Sequence, residues 1–183
     1  MADRVRILAA AAFAGVLSAC APTLGPPPPG RPHALPVRPA EDTTFHASDF
    51  AWSQALGRNA LIGAVNFQLG PTRYTCLGAT VVLTPETPWS RRRMMVLYKS
   101  DLRAALPADE VRARTPQAPP GDSSPYVKRA ICDNADRFSF AGLADGGWYV
   151  VTIAKPVPGA TGPNMALMRR ITTRGGRAIA FEL

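Results

Sequence analysis

Between Leu61 and Leu183 apolar residues recur at every second position far more often than at every third or fourth, and glycines mark most breaks between the runs. This pattern restricts the chain to short strands joined by tight turns, because alternate strand side chains fall on opposite faces whereas a helix repeats near 3.6 residues. Leu61, Gly63, Val65, Phe67 and Leu69 share one face of a first run, which Gly70-Pro71 ends. Tyr74 to Leu83 reads as a second strand and Met94 to Tyr98 as a short third. Strands resume at Tyr126–Cys132, Arg137–Phe140, Trp148–Ala154, Met165–Thr172 and Arg177–Leu183, with Gly142, Gly146-Gly147, Gly159 and Gly175-Gly176 between them. The one helical spacing lies in Ser100 to Arg112, which Pro107 must bend or break. Thr115 to Pro125, with four prolines, reads as a loop. About seven strands in this arrangement imply an all-β fold, an antiparallel β-sandwich.

The N-terminus follows a different logic. Met1 to Arg6 is short and charged, and Ile7 to Ala19 is an apolar run of 13 residues ending in Leu17-Ser18-Ala19-Cys20. Thirteen residues fall short of the about 20 that a bilayer core requires, so the run predicts a secretory signal helix over residues 1–19 rather than a span. Its ending resembles the bacterial lipobox, which implies acylation of Cys20 and a membrane partner held through that lipid. An ordinary signal cut after Ala19 or Ala21, and an uncleaved anchor, are the competing readings. Ala21 to Ala40 then contains eight prolines in twenty residues. Such a stretch is extended at about 3.1 Å per residue, so residues 20–45 read as a lipidated cysteine followed by a tether, reaching roughly 50–60 Å, ahead of a domain at 46–183.

The formal charge of +8 becomes +7 once Asp3, Arg4 and Arg6 leave with the signal. A basic exported domain favours anionic envelope lipid or glycan, or an envelope protein, as partner; nucleic acid is not expected in that compartment. If Cys20 carries lipid, Cys76 and Cys132 remain as an even pair where disulfides form, the alternative being two buried thiols. With only His33 and His46 in the chain, neither a metal site nor any other cofactor is expected.

One segment carries a family resemblance. Asp133-Asn134-Ala135-Asp136-Arg137-Phe138-Ser139-Phe140-Ala141-Gly142-Leu143, continuing through Gly146-Gly147-Trp148-Tyr149-Val150-Val151, resembles the signature of carboxypeptidase regulatory-like domains. The runs Ile62 to Val65, Cys76 to Pro85 and Gly176 to Leu183 are similar to that family's first two strands and its closing strand. The resemblance implies a transthyretin-like sandwich, a fold shared with starch-binding modules, in which Phe138 and Phe140 enter the core and Leu143 plugs the turn. Asp136 replaces the family's usual glycine, and a basic insertion runs from about 89 to 125.

No nucleophile, base and orienting group converge in this reading, so no catalytic residue is named and an enzyme is not expected. Arg91-Arg92-Arg93 after Trp89 is the candidate contact for an anionic ligand, since guanidinium forks grip carboxylate and phosphate. Trp52, Trp89, Trp148 and Tyr149 are a candidate stacking platform for sugar, although Trp148 and Tyr149 must face opposite ways on a strand. The expectation is a non-catalytic binding or scaffolding lipoprotein on the periplasmic face of the outer membrane. A subunit of a secretion or surface-assembly machine and a carbohydrate-binding module for envelope glycans are the alternatives.

Overall fold

Residues 41–183 are described by the computed structural model; the signal segment 1–19, Cys20 and the tether as far as residue 40 lie outside the described residues. Ten strands form two sheets. The smaller sheet contains β1 (Asn59–Ala64) between β10 (Ala178–Glu182) and β7 (Arg137–Leu143). β1 runs antiparallel to β7 and parallel to β10, so one pair departs from the expected antiparallel pattern. The larger sheet is built on β8 (Gly146–Pro156). One edge of β8 pairs with β9 (Met165–Thr173), which carries β5 (Arg103–Pro107) beyond it. Its other edge pairs with β4 (Thr80–Pro85) and, further along, β3 (Thr72–Thr75). Outside these lie β6 (Lys128–Ile131) and the two-residue β2 (Gln68–Leu69).

The sheets enclose a core in which Trp148, Val150 and Ala154 of β8 meet Leu61, Phe138, Phe140 and Phe181 of the small sheet. Leu143 is fully buried at the end of β7, as its place in the motif implies. The structure corrects the expectation of a strand at Met94–Tyr98, because those residues form the end of helix α1 (Pro88–Tyr98). Thr87 caps that helix: its hydroxyl accepts from the Ser90 backbone N–H while the Ser90 hydroxyl accepts from the Thr87 N–H, and Pro88 supplies a preset first helical turn. Met94, Leu97 and Tyr98 then lie on the outer face of the large sheet against Tyr149 and Met168. The helix expected over Ser100 to Arg112 is likewise corrected to β5 followed by the short α2 (Ala108–Ala113), with Pro107 ending the strand.

The expected strand from Tyr74 to Leu83 is divided into β3 and β4 by a turn that carries Cys76 and includes Gly78 at φ 71°. Cys76 and Cys132 form a disulfide, with Cα atoms 5.7 Å apart across 56 residues of sequence. Asp136 is the device that holds this corner. It adopts φ 58°, the left-handed conformation a glycine would supply, which aspartate tolerates better than most residues. Its Oδ1 accepts from the Cys76 N–H at 2.8 Å and from the Thr75 hydroxyl. Replacing both cysteines by alanine is expected to lower the unfolding free energy by about 4 kcal/mol, the loop-entropy estimate for this separation, as read by guanidinium denaturation. Thr87→Ala is expected to cost about 1 kcal/mol through loss of the cap.

Candidate functional site

The basic segment singled out in the sequence lies on α1, and its members point to different duties. Trp89 is 1% exposed and its indole Nε1 donates to the Pro120 carbonyl at 2.9 Å. It closes an aromatic cluster with Phe45, whose ring centroid is 5.2 Å away, and Phe50, while Phe50 stacks on Tyr126 at 4.8 Å. Arg93 lies over the Trp89 ring at 5.4 Å and donates to the Pro119 carbonyl, and burial pushes its pKa down. Arg92 is exposed and makes no ion pair among the described residues. Arg91 turns inward.

Arg91 belongs to a small charged centre that joins the end of β4 and β9 to α1. Glu86, whose side chain is 8% exposed, accepts from Nε and Nη2 of Arg91 through Oε1 and from Arg170 of β9 through Oε2 at 2.7 Å. The remaining Arg91 nitrogen, Nη1, reaches Glu41 at 3.0 Å and so ties the start of the described chain to the helix. Burial opposes the Arg91 charge, and the hydrogen bond to Glu86 with the charge of Glu41 overcomes it, raising the pKa. Two guanidinium groups around one carboxylate satisfy that acid more fully than either would alone. Tyr149 pairs across the sheet with Arg170 and lies close by, yet its hydroxyl is buried with no hydrogen-bond partner among the described residues. Burial, then the Glu86 charge, pushes its pKa up to about 12.

The proposed sugar platform is not assembled. Trp148 and Tyr149 do face opposite ways, one into each apolar cluster, and both are fully buried. Trp52 is half-buried, packed on Trp148 at 4.9 Å and against Gly146, where an added Cβ would fall 2.2 Å from the indole. His46 places Nε2 3.1 Å from Asp42 on an exposed turn. At the disulfide, Asp136 lies within 4.8 Å of both sulfurs, but the sulfurs are bonded to each other.

The accessible surfaces that the sequence does not single out include these two. One is the outer face of the small sheet, a hollow of about 410 Å3 floored by Ile62, Ala64 and Ala180 and flanked by Arg137 and Glu182. The other is a groove of about 350 Å3 among the loops at the Asp145 end of the sandwich. Alternation in β1 and β10 signals the first; the second joins three loops distant in sequence and has no linear signature.

Neither a scan of protein-family models nor a search of curated proteins finds a match. Among solved structures, the chain is similar to a protein from Pseudomonas aeruginosa proposed to bind carbohydrate. The two share 18% identity and a TM-score of 0.54, over 76% of this chain and 97% of that one. At this identity the likeness establishes the β-sandwich fold.

Two outcomes test the charged centre. Tyr149→Phe removes an unpaired buried hydroxyl and is expected to raise the unfolding free energy by about 1 kcal/mol. The second concerns alkaline pH. Tyr98 is also pushed up to about 12, by burial, so both phenols keep their protons in the fold after the unfolded chain begins to release them near 10. The contribution of the two phenols to stability is therefore fully present below pH 10 and is lost as pH rises from about 10 towards 12, and Tyr149→Phe should flatten that decline in thermal melts.

Proposed function

We propose that this chain is a non-catalytic envelope lipoprotein, a binding or scaffolding domain anchored through acylated Cys20 to the outer membrane on its periplasmic side. The observation that carries this reading is the Cys76–Cys132 disulfide in a chain whose third cysteine ends a lipobox-like signal. A disulfide closing so long a loop suits an oxidising compartment, and it leaves Cys20 as the cysteine available for lipid. The arginines of α1 lend support from another side. Arg91 and Arg93 are spent on internal contacts, so the helix strengthens the sandwich and leaves Arg92 for solvent. The net charge of +7 that remains without the signal draws the domain towards anionic lipid and glycan.

A second reading is a module for envelope carbohydrate, favoured by the likeness to the Pseudomonas protein. With Trp89, Trp148 and Tyr149 buried, such a module would hold sugar through polar side chains rather than by stacking on these rings.

Metabolic labelling with palmitate tests the anchor. The wild-type protein should carry label and fractionate with outer membrane, while Cys20→Ser should lose the label; an unlabelled wild type overturns the lipoprotein reading. Pull-down on purified envelope glycan tests the second reading, with retention of the mature protein the expected result.

A further inference from the structure

Residues 55–58, the β7–β8 turn at Ala144-Asp145 and the β9–β10 turn at Gly175-Gly176 enclose the loop-end groove. Its centre is a carboxylate held in place from within. Asp145 Oδ1 accepts from the Asn59 amide at 2.8 Å and from the Gly175 N–H at 3.0 Å, while Oδ2 receives only the longer Gly175 contact at 3.2 Å. Asn59 is itself buried and fully used, donating to the Leu143 carbonyl and accepting from the Arg177 N–H. The Asp145 oxygens are therefore aimed before any ligand arrives, and Oδ2 keeps capacity for another donor. The Asn59 and Gly175 hydrogen bonds, followed by the nearby charges of Arg174 and Arg58, pull the Asp145 pKa below the ordinary carboxylate value and so favour the ionised acceptor.

Two further features separate this groove from an ordinary turn cluster. Arg58 lines the groove with its side chain beside Gly176, Arg174 precedes the Gly175-Gly176 turn and adds its charge to the field at the carboxylate, and neither arginine forms an ion pair among the described residues. Leu56 is 99% exposed at the lip, a large apolar side chain with nothing packed on it. Gly57 fits beneath it because a Cβ there would meet the Leu143 carbonyl at 1.7 Å, so the loop is pressed against the sandwich and the leucine stands outward. An ionised acceptor, two donors and a small apolar wall match a sugar ring, whose hydroxyls donate and accept while its C–H face is apolar.

We propose that this groove binds an acidic saccharide, with a ring hydroxyl donating to Asp145 Oδ2, the sugar carboxylate facing Arg58 and Arg174, and the C–H face against Leu56. The inference rests on the carbohydrate reading above and names its site and class of ligand. In the hollow on the small sheet Arg137 and Glu182 also flank an apolar floor, but the Glu182 carboxylate accepts only from the Asn66 amide at 3.3 Å among the described residues and is not fixed in advance as Asp145 is.

The test is calorimetric titration of the full-length mature protein in detergent with tetragalacturonic acid and, separately, with the neutral maltotetraose. Tetragalacturonate should bind about tenfold more tightly, the factor equivalent to one modest charge-assisted contact, and its affinity should fall with added salt. Leu56→Ser and Arg58→Ala should each weaken it about fivefold or more without changing the melting temperature, as expected for exposed side chains. Asp145 is left intact because it also holds the Gly175 turn. Binding that survives both substitutions unchanged overturns the groove as the site, and equal affinity for the two tetrasaccharides overturns the acidic class. Failure of both to bind, alongside retention on envelope glycan, overturns this inference and leaves the carbohydrate reading standing; loss of retention as well removes both.

Discussion

Burial of β8 on both faces is the constraint from which the rest of the structure follows. Trp148, Val150 and Ala154 look into the space between the sheets, while Tyr149 and Val151 look the other way. An antiparallel sheet in a two-layer sandwich commonly leaves its outer face to water, and a strand apolar on both sides cannot. A third layer is required, and α1 with α2 supplies it. Met94, Leu97 and Tyr98 cover Tyr149 and Met168, each such side chain contributing on the order of 2 kcal/mol when removed from water. The basic insertion is thus an answer to the composition of β8 before it is anything else.

A charged centre fastens that layer. Glu86 lies at the end of β4, Arg170 on β9 and Arg91 on α1, so one carboxylate links two strands to the helix, and Arg91 continues the link to Glu41. The aromatic cluster around Trp89 runs beside it and draws Phe45 onto the same side, against Gly121. Glu41 and Phe45 thus pack at α1, and neither lines the loop-end groove or the small-sheet hollow.

Much of the sandwich was legible because period two is unambiguous where one face is wet. Phe138 and Phe140 at alternate positions place β7, and Trp148 and Tyr149 are correctly assigned to opposite faces. Short apolar runs do not distinguish helix from strand. Met94-Met95-Val96-Leu97-Tyr98 has β-like composition, and the deciding signal lay upstream in Thr87-Pro88 and Ser90, a cap and first turn that commit the chain to a helix. Ser100 to Arg112 is the reverse case: Leu102, Ala105 and Leu106 imitate helical spacing, but pairing with β9 captures Arg103–Pro107 as an edge strand. Asp136 stood out as a departure, while its role as both left-handed turn residue and acceptor for Cys76 required the fold. Arg58 and Asp145 escaped because the groove exists only once β1, β7, β8 and β9 bring their ends together.

Native-state hydrogen exchange followed by mass spectrometry tests directly whether the helical layer belongs to the core. If α1 completes the burial of β8, amides of Met94–Tyr98 and of Trp148–Ala154 should exchange through one cooperative opening, with matching free energy and denaturant dependence. Protection of α1 about a hundredfold weaker than that of β8, lost with little denaturant dependence, would show a helix resting on a sandwich that is stable without it, and would contradict the account.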